Sequence, residues 1–373
     1  MTPLQLQPTD SRASGVSPAA QLRQAAISLG IGYAASVVAY AALRPLLGAR
    51  DGWIELADDL EPWGYLPAPL LGLAGAALGS RGLSGAGAVL AAAFGLRWGF
   101  RYLRRPPEPA QVDSDLTVMT FNTLAWERSS HDIAAVIRAA QPHMVGLQEI
   151  GGHGADQLCE TLRDEYPYTY ITPSPDSSGA AVFSKYRLRD TVAFRASEMG
   201  HWWQRMIVDT PRGPITYINL HTKIPHIHTV RLFGRLPIPA RFHAERRRRE
   251  VRWLCAMLAR TDGPVIVGGD FNMTERSQDY AMLSKALHDA YRSAGVGLGH
   301  TFPKRGVYPR TFPAPWPTLR LDYVWHSDHF EAAWAYRGDA GESDHHPVVT
   351  GLRWSDTIGL AGDATVPLAA SAV

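Results

Sequence analysis

The sequence predicts a water-soluble α/β domain preceded by an apolar helical region. Three observations lead there. Long uncharged stretches crowd the first 103 residues. Beyond residue 115, short β-rich runs alternate with helical patterns. Those β-runs end in polar residues that strand propensity would not choose. The chain's 373 residues allow two or three domains, and 46% apolar with 19% charged content excludes a disordered chain. A formal net charge of +2 leaves no global signature of polyanion binding. Two cysteines, Cys159 and Cys255, exclude a disulfide scaffold and a cysteine-ligated zinc site.

Residues 1–24 are polar and read as a flexible tail. The region 25–103 reads as about three transmembrane helices, at 25–43, 63–80 and 83–100, each low in charge and scaled to a hydrocarbon core of ~30 Å. Trp63, Tyr65, Trp98 and Tyr102 fall where interfacial aromatics are expected. A cleaved signal peptide ending at Ala39-Tyr40-Ala41 and a soluble Ala-rich hairpin are the alternatives. The expectation is therefore an integral protein of a bacterial-type cell membrane. Lys/Arg counts lean toward a cytoplasmic C-terminal domain, by a few residues only. RRPPEPAQVDSD (104–115) is a Pro-rich linker, and 355–373 a loose tail.

Between them, 116–354 alternates strand patterns with helical ones. The strands are LTVMTFN, HMVGLQEI, AAVFS, RMIVD, ITYINLHT, PVIVGGDFN, LDYVWH and HPVVTGL. The helices are HDIAAVIRAA, ADQLCETLRDE, a segment over 240–260 and DYAMLSKALHDAY. Mixed alternation and continuous apolar runs suit strands covered on both faces. Asn122, Glu149, His221, Asp270, Asn272 and Asp322 all fall at or just past the ends of these runs, and Asp344, His345 and His346 precede the last. Strand ends converge on one rim of a sheet, where sites on α/β scaffolds assemble. Carboxylates, amides and imidazoles without a nucleophilic Cys or Ser indicate hard-cation and phosphate chemistry.

TFN at 120–122, LQE at 147–149, NLHT at 219–222, GGDFN at 268–272, LDYVW at 321–325 and SDHHPV at 343–348 stand in an order that resembles the endonuclease/exonuclease/phosphatase superfamily. The resemblance covers about 115–353 and rests on six pieces in sequence; GDFN alone would mean little. It implies a four-layer α/β sandwich, two packed sheets flanked by helices, and a Mg²⁺- or Mn²⁺-dependent hydrolase of phosphate esters. Residue by residue, it implies that Glu149, with Asn122 beside it and Asp344 nearby, serves the metal. It implies that Asp270 activates or orients the attacking water, and that Asn272 holds the phosphate or this aspartate. His345 matches the catalytic histidine, Asp322 its paired carboxylate, and His221 a second histidine found in the DNase-like and sphingomyelinase-like branches. Read singly, each has a plain alternative: Asn122 as a turn, Glu149 as a solvated strand end, Asp322 as a partner of Arg320, His221 as a core imidazole.

The segment 222–252 carries nine Lys/Arg against two Glu, interleaved with Ile224, Ile227, Leu232, Phe233, Leu236 and Ile238. Such a mixture beside the site suits contact with anionic head groups or a lipid-linked phosphate. Lys223 and Arg231, with Asn272 and His221, are the candidates to bind substrate. The alternative makes Arg246–Arg249 the wet face of a helix. His201, Trp202 and Trp203 form a further cluster, read chiefly as packing. Three functions follow: a membrane-anchored phosphoesterase on a lipid-linked or lipid-derived phosphate, a nuclease, or an inactive membrane scaffold. Residues 106–373 carry 28 basic and 29 acidic residues, which disfavours high-affinity nucleic-acid binding.

Overall fold

The computed structural model describes residues 17–46, 52–103, 112–124, 130–174, 176, 178–198, 200–232, 236–304 and 316–356. These form two compact units, one drawn from 1–48 and 60–99, the other from 49–59 and 100–373. Four helices open the chain: α1 (Pro18–Leu43), α2 (Trp53–Leu60), α3 (Ala68–Ala77) and α4 (Arg81–Trp98).

In the first unit, α1 starts inside the stretch expected to be a flexible tail. Ser17 caps it, its side-chain oxygen accepting from Ala20 N at 3.3 Å, and Pro18 takes the first helical turn. Two helical stretches, Pro18–Leu46 and Arg81–Tyr102, are long and apolar enough to cross a membrane. The middle expected span is different. Prolines at 62, 67 and 69 break its run into a 3-10 turn and the ten-residue α3, which at 1.5 Å per residue is about 15 Å long. α3 and α4 pack through small residues: a Cβ on Gly87 would lie 2.6 Å from Gly72 N, and one on Gly75 2.3 Å from Ser84 N. Arg97, the charge that interrupts the last apolar run, is paired with the buried Glu61, which also accepts from Tyr65 Oη at 3.1 Å.

The second unit holds β1 (Leu116–Asn122), α5 (Ser130–Ala140), β2 (Met144–Gln148), α6 (Gly152–Leu162), β3 (Tyr168–Thr172), β4 (Ala180–Ser184), β5 (Leu188–Phe194), β6 (Trp203–Thr210), β7 (Gly213–His221), β8 (His226–Leu232), β9 (Leu236–His243), α7 (Glu245–Leu258), β10 (Val265–Asp270), α8 (Gln278–Leu283), β11 (His288–Asp289), α9 (Ala290–Ala294), β12 (Asp322–His326), β13 (Phe330–Arg337) and β14 (Val348–Trp354). Two six-stranded sheets run β13-β14-β1-β2-β4-β3 and β11-β12-β10-β7-β6-β5. Each is built around one parallel pair, β1/β2 or β7/β10, with antiparallel neighbours. β8 and β9 form a separate hairpin within what the sequence reading treated as a loop.

Burial explains the layering. Val118, Met144, Val182 of one sheet and Val208, Tyr217, Ile266 of the other share a core between the sheets. Ile133, Ile137, Leu158 and Leu162 place α5 and α6 on the outer face of the first sheet. Val251, Leu254 and Leu258 do the same for α7 on the second, each such side chain contributing roughly 1.5–3 kcal/mol. The result is helix, sheet, sheet, helix: the four-layer sandwich expected from the resemblance. A buried amide chain ties the sheets together. Gln148 Nε2 donates to Asn219 Oδ1 at 2.7 Å, and Asn219 Nδ2 donates to Gln204 Oε1 at 3.0 Å. Gly268 and Gly146 leave room for the Tyr217 hydroxyl between the sheets, since a Cβ would approach it to 2.9 and 2.4 Å.

Candidate functional site

Strand register gathers the polar residues. In the second sheet Asp270 of β10 lies opposite both His221, the last residue of β7, and Asp322. In the first, Asn122 closes β1 opposite Gln148, and Glu149 follows. The sequence reading ended a run at Asp322; the structure instead opens β12 there. Because β12 is antiparallel to β10, its first residue still reaches the rim where the parallel strands end. Glu149 and Asn272 hold left-handed backbone, φ 58° and 45°, an arrangement costing about 1–3 kcal/mol per residue that turns both out of their strands.

Asp270 is the hub. Its Oδ2 accepts from Asn122 Nδ2 at 3.0 Å and lies 3.4 Å from His221 Nε2 and 3.8 Å from His345 Nε2. Its Oδ1 accepts from Asn272 N at 2.9 Å. The Asn122 amide also donates to Glu149 Oε1 at 3.1 Å, while its own Oδ1 accepts from Leu124 N. Asn272 Nδ2 lies 3.1 Å from His221 Nε2 and donates to Thr222 O at 2.9 Å. His345 Nδ1 lies 2.8 Å from Asp322 Oδ2. The loop bearing His345 is fastened to β1: Ser343 Oγ donates to Asn122 O and accepts from His345 N.

The electrostatics separate the two histidines. Burial opposes charge on His345, but Asp322, Asp270 and Asp344 outweigh it and hold its pKa well above the usual histidine range. His221 goes the other way: burial first, then the charges of His201, His345 and Lys223, push it well down. Burial, with the Asp322 charge, raises the Asp270 carboxyl far above the usual range, against the opposing pull of His345 and of the Asn272 and Asn122 hydrogen bonds. The rim thus combines a cationic imidazole, a neutral one and a carboxylate poised near neutrality.

Four carboxylates, Glu149, Asp270, Asp322 and Asp344, lie at this rim with His345 as the imidazole held cationic. Among them Asp322 Oδ1 is buried without a hydrogen-bond partner. Asp270, Asp322 and His345 each bring a ligand atom within 4.8 Å of the others. An oxygen-rich donor set with surplus negative charge and an orphaned buried oxygen fits a divalent cation.

Two features go beyond what the sequence reading assigned, the first in the cluster it took chiefly as packing. His201 stacks on His221 with ring centroids 3.7 Å apart, and Trp203 Nε1 donates to His221 O at 3.0 Å. Both precede or open β6, the neighbour of β7; an imidazole next to a buried strand carries no periodic signal. Trp203 itself is core, as expected. The second feature corrects half of the reading of Arg246–Arg249 as a wet helix face, since Arg246 and Arg249 are exposed but the two arginines between them are not. Arg247 and Arg248 are buried, and Arg247 pairs with Glu55 of α2 and with Asp279 at 2.7 Å, while also donating to Asn272 O. Asp322 does not pair with Arg320, which instead meets Glu275 and Asp289 at 2.8 and 2.7 Å. Lys223 is half-buried beside the site, its N donating to Glu250 at 2.7 Å. The side chain of Arg231 lies outside the described residues.

The fold has solved counterparts. An endonuclease/exonuclease/phosphatase from Beutenbergia cavernae is similar with a TM-score of 0.50 and 23% identity, over 65% of this chain and 72% of that one. One from Bacteroides vulgatus is similar with a TM-score of 0.50 and 18% identity, over 65% and 100%. No curated relative matches the chain by sequence. The model of the Endonuclease/Exonuclease/phosphatase family matches residues 119–345, from β1 through His345. That span contains every strand-end residue assembled above, and the chain therefore belongs to the endonuclease/exonuclease/phosphatase family of phosphoester hydrolases.

Proposed function

We propose that the protein is a membrane-anchored, divalent-metal-dependent phosphoesterase acting on a lipid-linked or lipid-derived phosphate. The observation that carries this reading is the convergence on Asp270 of Asn122, Asn272, His221 and the His345–Asp322 pair. Asp270, with its raised pKa, accepts the proton of a water attacking in line with the leaving oxygen. His345, kept cationic by Asp322, binds the charge that develops on phosphorus oxygens or protonates the leaving group. Neutral His221, oriented by Asn272, and Lys223 hold the phosphate. Glu149 and Asp344, with Asn122 hydrogen-bonded beside Glu149, would hold Mg²⁺ or Mn²⁺. Such an ion neutralises the substrate's non-bridging oxygens.

Anchoring is supported by the exposed apolar side chains of the first unit. Leu22, Leu29, Leu70, Leu73 and Leu96 are all open to their surroundings, an arrangement suited to lipid. The β8–β9 hairpin adds exposed Ile227 and Val230 alongside His226 and His228, and the segment leading into it adds exposed Ile224 next to Lys223. A substrate in the bilayer is thereby met at high effective concentration. The test is turnover by the purified full chain, with and without Mg²⁺, of phosphatidic acid and other lipid phosphates, inositol phosphates, sphingomyelin and plasmid DNA. Cleavage of DNA alone would overturn the lipid reading. Unchanged turnover in both Asp270→Ala and His345→Ala would overturn the assignment of the site.

A further inference from the structure

Away from the catalytic rim, the second unit holds a cavity of about 160 Å³ lined by Phe100, Arg101, Glu275, Tyr291, Arg292 and Arg320 among others. None of the residues gathered around Asp270 lines it. Its charges do not cancel. Glu275 is shared, one oxygen on Arg101 and the other 2.8 Å from Arg320. Asp289 meets Arg320 at 2.7 Å from behind. Three guanidinium groups therefore face two carboxylates. Although burial alone would raise it, Arg320, Arg101 and Arg292 keep the Glu275 pKa below the usual range, so it remains an anion.

Arg292 is the surplus cation. Its guanidinium sits 4.8 Å from the Phe100 ring centroid, and among the described residues no carboxylate lies within ion-pair distance of it. Arg101 is held in place through its backbone, Gly297 N donating to Arg101 O at 2.9 Å. Arg320 is clamped by its two carboxylates and stacks 4.5 Å from the Tyr323 centroid. The cations are thus preorganised around the cavity, which at ~30 Å³ per water-sized group has room for about five such groups, the size of one phosphate. Guanidinium forks match the paired oxygens of a phosphate bidentately, as they do those of a carboxylate. Phe100 and Tyr291 supply an apolar flank for what the phosphate is attached to.

We propose that this cavity is a second, non-catalytic site for a phosphate group, with Arg292 as its principal ligand. Phe100 and Arg101 belong to the last turn of the apolar stretch Arg81–Tyr102, the part of a spanning helix that would meet lipid head groups. A lipid phosphate and free phosphate share the chemistry, and the test separates them. The inference does not depend on the catalytic reading.

The experiment measures binding to the full chain in detergent micelles with EDTA present, so that cation-assisted binding at the catalytic rim is suppressed. The probes are inorganic phosphate, dihexanoyl phosphatidic acid and, as the phosphate-free control, dihexanoylglycerol. The expected result is binding of a phosphate probe but not of dihexanoylglycerol, weakened at least tenfold by Arg292→Ala and largely restored by Arg292→Lys. The melting temperature should be unchanged in both. Binding of phosphatidic acid without inorganic phosphate identifies the lipid as the source; binding of both identifies the phosphate group alone as sufficient. The proposal is overturned if neither phosphate probe binds. It is equally overturned if Lys223→Ala abolishes binding while Arg292→Ala leaves it intact, because the phosphate would then sit in the catalytic cleft.

Discussion

Two buried ionic clusters lie on either side of Asn272, and they are built on opposite principles. On the catalytic side, four carboxylates share a rim with a single charged imidazole, His345. On the other side, Arg247 and Arg248 are each bridged to both Glu55 and Asp279, with Glu245 3.4 Å from Arg248. Arg247 joins the clusters by donating to Asn272 O while Asn272 N donates to Asp270. Charge left uncompensated marks where a ligand is needed; charge fully compensated marks where the chain must simply hold still.

The sharpest way to break this contrast is to remove one member from each side. Asp270→Ala or His345→Ala should lower turnover of a phosphate ester by roughly 10²–10⁴-fold. Melting temperature should stay level or rise in Asp270→Ala, which relieves the rim, and fall in His345→Ala, which strips the buried Asp322 of its cation. Arg247→Met should likewise lower stability. Leaving Glu55 and Asp279 buried without it is expected to cost about 3–5 kcal/mol in chemical denaturation, and adding Glu55→Gln should recover part of that. If Arg247→Met is neutral, the balanced cluster is ornamental and the contrast fails.

A gentler test adds the missing charge. Mg²⁺ or Mn²⁺ should raise the melting temperature of the full chain, the stabilisation being about 2.7 kcal/mol at a hundredfold excess over the dissociation constant. Chelation should reverse the effect, and Glu149→Gln should weaken it; a shift untouched by Glu149→Gln would move the ion elsewhere.

The smallest expected effect concerns His201, whose pKa burial and Lys223 push down to about 4. A histidine with a depressed folded-state pKa contributes stability above its unfolded value of about 6.5 and loses it as pH falls toward 4. His201→Asn escapes that loss. Its stability deficit relative to the parent should therefore shrink between pH 7 and pH 5, by about 2 kcal/mol at most. A deficit that is constant over this range would mean that His201 titrates normally.

Legibility in the sequence tracked the range of the interaction. Strand-end residues were visible because a β-run is local, and the register that unites Asp270 with His221 and Asp322 follows once the strands are in place. The sandwich was legible from the order of six short motifs. What escaped was long-range or without period. Glu55 and Arg247 are 192 positions apart, so a run of arginines on a helix looked solvated. Prolines at 62, 67 and 69 shortened a helix that composition alone would have carried across a bilayer. The β8–β9 hairpin contains Pro237 and Pro239, which argue against a strand except at an edge, and a free-standing pair is all edge.

The docking of α2 has a practical consequence for anyone who trims the protein. A fragment starting in the Pro-rich stretch after residue 103 would look like a whole hydrolase, with every strand and every rim residue present. It would nevertheless lack Glu55, leaving Arg247 and Arg248 to share Asp279 directly behind Asn272, and it would lack Asp59, which accepts from the Thr274 hydroxyl. Low yield or weak turnover from such a fragment would report the loss of a structural piece rather than the absence of a bilayer. The region before residue 104 thus carries a keystone of the hydrolase unit, and replacing it wholesale discards that keystone.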